Sequence, residues 1–139
     1  MTRAVLIVGE SPNVRGKAAY ETKAGKRLRT LLGNVEYPWV NLFEERPERW
    51  SAARAREEAS SVLLVDSEMA PTLFVLLGRR VATAFGKGDK EFLSLDRAFT
   101  DWWYIFPHPS GRSRWWNDPR NELAAVTVTM HVFSEWFKQ

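Results

Sequence analysis

TLFVLLGRRVATAF, residues 72–85, joins a short apolar run to a helical pattern with only a glycine between them. Residues 72–78 carry no charged side chain, which is typical of a strand that is buried on both faces. The helical pattern of residues 79–85 starts directly after Gly78, so we predict that the helix follows the strand without a loop. A strand followed at once by a helix is the repeating unit of folds in which helices cover a parallel sheet.

The same unit recurs on both sides of this stretch. AVLIV at residues 4–8 is a second buried-strand pattern and ends at Gly9, and WWYIF at residues 102–106 is a third, which ends at the loop that starts with Pro107. The remaining predictions are a strand near residues 38–42 and helices at residues 23–32, 51–66 and from Pro119 onwards. We therefore predict one α/β domain over residues 1–139, with three layers, α/β/α, and a central four-stranded parallel sheet.

Weaker patterns carry three of the local predictions. Ala55, Ala59 and Val62 are spaced for a helix within residues 51–66, although SVLLV taken alone also suits a strand. Residues 87–101 are polar and are predicted to be irregular. In the last helix, the face that packs on the sheet is predicted to be Leu123, Val126, Met130, Phe133 and Phe137.

The composition excludes several kinds of site. The chain has no cysteine, which excludes disulfides, thiolate zinc sites and cysteine-held iron–sulphur clusters, and we expect no metal and no cofactor. Neither GxxxxGK[ST] nor GxGxxG occurs, so a glycine-rich nucleotide-binding loop is not predicted. No apolar run is long enough to cross a bilayer, and the first apolar stretch is too short for a signal peptide, so we expect a cytoplasmic protein.

Polar residues follow the predicted strands at the points where the strands end. They are the GESP segment at residues 9–12, Asn41, and the HPSG segment at residues 108–111. Ligands of open parallel sheets bind at the carboxyl ends of the strands. We therefore expect these segments to share one site.

Each of these polar residues suits chemistry and also has a structural explanation. His108 lies between two prolines, so its imidazole can be aimed at developing negative charge or can simply hold the loop. Glu10 can orient water or abstract a proton, or it can be a surface turn residue. Asn41 offers a donor and an acceptor that can read the edge of a base, or it can cap a turn. Ser110 and Gly111 suit either a turn or an anion-binding nest.

A basic segment, residues 15–29, holds six lysines and arginines against Glu21 alone. The whole chain is only mildly basic, with a net charge of +3. We expect this segment either to face phosphates or to be a solvated helix face.

Several motifs, in order along the chain, resemble those of the uracil-DNA glycosylase superfamily: VLIVGESPN, Tyr20, the Ala24-Gly25 pair, VNL, FVLLGRRVATAFG and FPHPSG. The resemblance implies that Glu10 orients water, Tyr20 stacks on the base, Asn41 reads its edge and His108 stabilises the departing base. It implies further substrate contacts from Gly9, Ser11, Pro12 and Ser110. It also implies DNA contacts from Gly111, Arg112, Arg114 and Trp115, while Trp116 is predicted to pack under the loop. From the charge of the basic segment, Lys26 and Arg29 are predicted to contact DNA phosphates.

The sequence departs from the family pattern in two places. The GESPN motif is most similar to the GEAPG motif of the iron–sulphur members, but the cysteines that hold their cluster are missing. Ser11 stands where other branches have the aspartate or asparagine that positions water, which leaves Glu10 for that role. The chain is also shorter than typical members and is similar to a trimmed branch, of phage or bacterial kind.

The resemblance implies a monomeric DNA glycosylase that excises uracil or a related modified pyrimidine from DNA, single- or double-stranded. Two alternatives stay open. One is a hydrolase of free nucleotides or nucleosides that uses the same pocket. The other is a module that binds a base or nucleic acid without cutting it, because of Ser11.

Overall fold

The computed structural model of the chain describes residues 3–12, 17–66, 70–110 and 113–139. The strands are β1 (Ala4–Gly9), β2 (Trp39–Asn41), β3 (Thr72–Leu77), β4 (Leu95–Ala98) and β5 (Asp101–Phe106). The α-helices are α1 (Lys23–Leu31), α2 (Ala52–Asp66), α3 (Arg79–Ala84) and α4 (Pro119–Lys138), and short 3₁₀ helices span Ala19–Glu21 and Arg114–Asn117. Within the described ranges, no helix has the length and apolarity needed to cross a membrane.

The strands form one sheet in the order β2-β1-β3-β5-β4. Strand β1 pairs in parallel with both β2 and β3, and β3 pairs in parallel with β5, which confirms the parallel sheet predicted from the alternating pattern. All six residues of β3 are buried, as expected for the central strand of a sheet covered on both faces. Residues 52–66 are helical, so the strand alternative for SVLLV is wrong.

The prediction of four strands is wrong by one. Residues 95–98, within the segment predicted to be irregular, form β4, which pairs antiparallel with β5 at the edge of the sheet. Phe99, in the two-residue turn between them, has a positive φ of 56°. An edge strand of four residues buries little apolar surface and is held by backbone hydrogen bonds, which leave no mark on the pattern of side chains.

Each face of the sheet carries its own hydrophobic core. Leu73, Val75 and Leu77 of β3 lie in one core, together with residues of α1 and α4. Phe74 and Leu76 point to the opposite face and lie in a second core with residues of α2 and α3. Successive side chains of a strand point to opposite faces, so this division confirms the predicted α/β/α layers.

Helix α4 begins where the sequence predicts, because the Asp118 side chain accepts a hydrogen bond from the Arg120 N–H and Pro119 is in the first turn. The predicted packing face is confirmed for Phe133 and is wrong for the other four residues. Leu123, Met130 and Phe137 are 69%, 66% and 52% exposed. The residues that the helix buries are Ala125, Thr129, Val132, Phe133 and Trp136.

Specific partners on the sheet explain this choice of face. The Trp136 ring packs edge-on against Trp102, with ring centroids 5.1 Å apart. The Thr129 hydroxyl is 2.8 Å from the Tyr104 hydroxyl, so each buried oxygen has a partner. Ala125 is fully buried and is small enough to let the helix approach the sheet closely. These pairings outweigh the simple count of large apolar side chains.

Backbone hydrogen bonds tie together the carboxyl ends of the parallel strands. The Leu42 N–H donates to the Gly9 carbonyl, and the Phe43 N–H donates to the Glu10 carbonyl, both at 2.9 Å. At the next strand pair, the Gly78 N–H donates to the carbonyl of Phe106 at 2.8 Å. The residues that follow β1, β2, β3 and β5 therefore start from fixed positions on one edge.

Candidate active site

A cavity of about 210 Å³, the inner cavity, opens at the carboxyl ends of β1 and β2. Its lining comes from the GESP segment, the turn before α1, β2 and the HPSG loop: Gly9, Glu10, Ser11, Pro12, Lys17, Ala18, Ala19, Thr22, Trp39, Asn41, His108 and Pro109. At ~30 Å³ for each water, this space corresponds to about seven water molecules, which is enough for one heterocyclic ring. The structure thus brings Glu10, Asn41 and His108 to one cavity.

Gly9 allows two side chains of β2 to lie directly against β1. Gly9 pairs with Asn41 in the sheet, and a Cβ on Gly9 would lie 2.5 Å from Asn41 Oδ1 and 2.9 Å from Trp39 Nε1. Trp39 and Asn41 are two residues apart on a strand, so they share a face, and the Trp39 indole N–H donates to Asn41 Oδ1 at 3.1 Å. Any side chain at position 9 would displace this pair.

The surroundings of His108 fix which ring nitrogen carries the proton. The Ser110 backbone N–H donates to His108 Nδ1 at 3.1 Å, so in the neutral ring the proton is on Nε2. The Trp116 indole N–H donates to the His108 carbonyl at 2.8 Å and holds the backbone of the loop. Burial lowers the pKa of His108, against a smaller opposite effect of the nearby Glu10 carboxylate. His108 is therefore a neutral hydrogen-bond donor at neutral pH.

The side chains of Glu10 and His108 both lie next to Gly78. A Cβ on Gly78 would lie 3.4 Å from His108 Cβ and 3.8 Å from Glu10 Oε2. Gly78 has φ 94° and ψ 166°, a conformation that essentially only glycine adopts. The second carboxylate oxygen, Glu10 Oε1, is 3.6 Å from Arg80 Nη1, and the Arg80 guanidinium lies 5.1 Å from the centre of the Trp50 ring. The carboxylate is thus held by one cation beside a half-buried imidazole.

Tyr20 is not among the residues that line the inner cavity. Its hydroxyl donates to the Tyr37 carbonyl at 2.6 Å, and its ring packs edge-on against Trp39 with centroids 5.3 Å apart. Burial raises the pKa of Tyr20 to about 12. Here Tyr20 supports Trp39, and Trp39 is the aromatic ring that borders the cavity.

A larger and more open cleft of about 1290 Å³, the outer cleft, adjoins the inner cavity. The two share six lining residues: Glu10, Ser11, Pro12, Lys17, Thr22 and His108. Ser110, predicted to contact substrate, lines the outer cleft only. Five basic side chains against three acidic ones line it: Lys17, Lys23, Lys26, Arg46 and Arg80, with Glu10, Glu21 and Glu48. The excess of basic over acidic side chains favours an anionic ligand in this cleft.

The family model of the uracil DNA glycosylase superfamily matches residues 2–129 of this chain. The chain belongs to this superfamily. No curated protein matches it at a significant level. Membership supports a DNA glycosylase type of function, a hydrolase of DNA repair, and does not by itself specify the base.

In this superfamily member, the predicted DNA-contacting loop after His108 is only partly described. Gly111 and Arg112 lie outside the described residues. Arg114 is exposed and lines neither the inner cavity nor the outer cleft. Trp115 is half-buried, with its ring edge-on to Phe92 and Trp116 at centroid distances of 6.3 and 4.8 Å.

The two tryptophans of this loop differ in their surroundings. Trp116 is buried, packs on Phe106 at 5.9 Å and receives the Arg27 guanidinium 4.3 Å from its ring centre. The prediction that Trp116 packs under the loop is confirmed.

The basic segment divides between the outer cleft and other surfaces. Lys17, Lys23 and Lys26 line the cleft, and the described part of the chain gives none of them an ion-pair partner. Arg29 is in the last turn of α1, where Arg29 Nη1 lies 3.4 Å from Glu36 Oε2, and it does not line the cleft. Helix α1 carries Lys23 and Lys26, and its first turn packs closely on the preceding 3₁₀ turn because Gly25 has no Cβ, which would lie 1.8 Å from the Ala19 carbonyl oxygen.

Sequence reasoning missed two residues of the site, Trp39 and Arg80. Trp39 precedes Asn41 by two positions on a strand, and that spacing alone places both on one face. Arg80 has no such signal, because its contact with Glu10 joins the start of α3 to the turn after β1. Within the described ranges, no three His, Cys, Asp or Glu side chains are grouped closely enough to hold a metal ion.

Proposed function

We propose that the protein is a DNA glycosylase that uses water to hydrolyse the N-glycosidic bond of uracil or a related modified pyrimidine. The observation that carries this proposal is the meeting of a neutral His108 and the Glu10 carboxylate over Gly78, beside a cavity with room for one base. A donor for the base and an acceptor for water are the two groups that such a hydrolysis needs.

The reaction breaks the bond between the base nitrogen and the sugar C1′ carbon. The bonding electron pair leaves with the base, whose carbonyl oxygen gains negative charge, and His108 Nε2–H donates a hydrogen bond to that oxygen. The water oxygen bonds to C1′, and the Glu10 carboxylate orients this water and accepts its proton. The negative charge of Glu10 also favours the positive character that develops on the sugar.

The outer cleft supports DNA as the substrate. Its lysines are exposed and have no ion-pair partner among the described residues, so phosphates are suitable partners for them. A base in a duplex reaches the inner cavity only after it leaves the stack, at a cost of a few kcal/mol. We propose that Arg112, Arg114 and Trp115 act in this step, by contacting phosphate or by occupying the vacated stack.

The test is incubation with single- and double-stranded oligonucleotides that carry uracil or other modified pyrimidines, followed by detection of abasic sites. We expect abasic sites with at least one of these bases, and a roughly 10²–10³-fold slower single-turnover rate for His108→Gln. His131→Gln is the matched control because His131 is exposed on α4. If no oligonucleotide acquires an abasic site while free nucleotides are hydrolysed, the protein is a nucleotide hydrolase and the DNA proposal is wrong.

A further inference from the structure

The amide of Asn41 has a fixed orientation, which follows from the chemistry of its neighbour. An indole N–H can donate a hydrogen bond and cannot accept one. The Asn41 side-chain atom that lies 3.1 Å from Trp39 Nε1 is therefore the oxygen, Oδ1. The same oxygen is the atom that lies nearest to the position of a Cβ on Gly9, so it is enclosed between β1 and the indole.

The nitrogen of the amide, Nδ2, is the group left for a ligand. In the part of the chain that the structure describes, no group accepts a hydrogen bond from Nδ2, although Asn41 lines the inner cavity. A free asparagine offers a donor and an acceptor together. Here the oxygen already accepts from the indole and lies against Gly9, so the amide presents its nitrogen, a donor, to a base.

We propose that Trp39 is a positioning residue that makes Asn41 a hydrogen-bond donor toward the substrate. The inner cavity then selects bases with a carbonyl oxygen facing Asn41, such as the 4-oxo pyrimidine uracil, over bases with an amino group there, such as cytosine. An amino group opposite Nδ2 would leave two donors face to face without an acceptor, which disfavours that base. This inference rests on the proposed function.

Trp39 can act in this way because it is itself held in place. The Tyr20 ring packs edge-on against it, and the Tyr20 hydroxyl is anchored on the Tyr37 carbonyl at 2.6 Å. A rotation of the Asn41 amide by half a turn would bring Nδ2 against the indole N–H, again two donors face to face. The indole therefore opposes the one rearrangement that would let Asn41 accept a hydrogen bond from cytosine.

The variant Trp39→Phe removes the indole N–H and keeps an aromatic ring. Its Asn41 amide is free to turn, so we expect the ratio of uracil to cytosine excision rates to fall by roughly 10–100-fold relative to the wild type. Trp103→Phe is the matched control, because Trp103 stacks on Phe74 in the second core. An unchanged ratio in a folded Trp39→Phe protein, judged by its thermal unfolding, would overturn the proposal.

A second measurement does not depend on activity. In ¹H–¹⁵N NMR spectra of the wild type, the Trp39 indole N–H should exchange slowly with solvent, and Asn41→Ala should shift its resonance and speed its exchange while leaving the Trp103 signal in place. A Trp39 signal that does not respond to Asn41→Ala would show that the hydrogen bond is absent and would overturn the positioning role. If the wild type excises no base at all, the proposed function is wrong, whereas the orientation of Asn41 is still decided by this signal.

Discussion

The inner cavity and the outer cleft are adjacent, yet their side chains are held in different ways. In the inner cavity, Asn41 is fixed by the Trp39 indole, and His108 by the Ser110 N–H. In the outer cleft, Lys17, Lys23 and Lys26 are exposed and have no ion-pair partner in the described ranges. The inner cavity therefore presents hydrogen-bonding groups with fixed orientation, and the outer cleft presents positive charges that are exposed to solvent.

This difference predicts what each region contributes. Fixed groups with satisfied neighbours discriminate between chemical structures, because a mismatched donor or acceptor is left without a partner. Solvated lysines attract any polyanion and are screened by salt. We therefore expect substitutions in the inner cavity to alter the chemical step or the choice of base, and substitutions in the outer cleft to alter affinity for all DNA alike.

The largest expected effect is that of Glu10→Gln. The amide cannot accept the proton of the attacking water, so the single-turnover excision rate should fall by roughly 10²–10⁴-fold. The affinity for DNA at fixed salt should not fall, because the substitution removes a negative charge and no phosphate contact. A loss of DNA affinity with an unchanged chemical step would reverse the roles assigned to the two regions. Glu135→Gln, on α4, is the matched control.

An intermediate effect is expected for lysine substitution in the outer cleft. Replacing Lys17, Lys23 and Lys26 by glutamine should weaken binding of every DNA sequence and lower the slope of log affinity against log salt by about one unit for each lost phosphate contact. The excision rate at saturating DNA should remain close to that of the wild type. Binding is measured by fluorescence anisotropy over a range of salt concentrations.

Arg29 provides the control for these lysines. It belongs to the same basic segment but pairs with Glu36 away from the cleft, so Arg29→Gln should leave the salt slope nearly unchanged. Equal changes in slope for Arg29 and for the cleft lysines would mean that the whole segment acts as a diffuse charge and that the cleft does not define the path of the DNA.

A smaller effect is expected in the loop after His108. Replacing Arg114 and Trp115 by alanine should slow excision from duplex DNA more than from single-stranded DNA, by up to about tenfold, because only the duplex requires base flipping. Trp115 also packs on Phe92 and Trp116, so thermal unfolding of the variant has to be measured alongside. Equal losses on both substrates would show that the loop supports the fold and takes no part in flipping.

The smallest effect is the dependence of stability on pH. Because burial lowers the pKa of His108, the unfolded chain binds its proton at a higher pH than the folded chain does. The contribution of His108 to the free energy of unfolding should therefore have its full value above the ordinary histidine pKa of about 6.5. It should fall as the pH decreases toward the pKa of His108 in the folded protein. His108→Gln should lose less stability than the wild type between about pH 7.5 and about pH 5.5. An equal loss in both, with His131→Gln as control, would mean that His108 is not buried in its neutral form.

The sequence predicted the sheet and the meeting of its strand ends for one physical reason. Continuous apolar runs, each ended by a glycine or a polar turn, specify central parallel strands, and parallel strands bring their carboxyl ends to a common edge. Glu10 is one residue past β1, Asn41 is the last residue of β2, and His108 is two residues past β5. Their proximity therefore followed from their positions at strand ends.

Only the tertiary structure decided the partners of these residues. Tyr20 packs behind Trp39 and Arg80 reaches Glu10 across elements, contacts that depend on side-chain direction in three dimensions. Strand β4 and most of the buried face of α4 were missed for a related reason. An edge strand is held by backbone hydrogen bonds common to all sequences, and the face of α4 is chosen by the fit of Trp136 and Thr129 to particular residues on the sheet. Periodicity reports which residues are apolar, whereas packing complementarity determines which of them are buried.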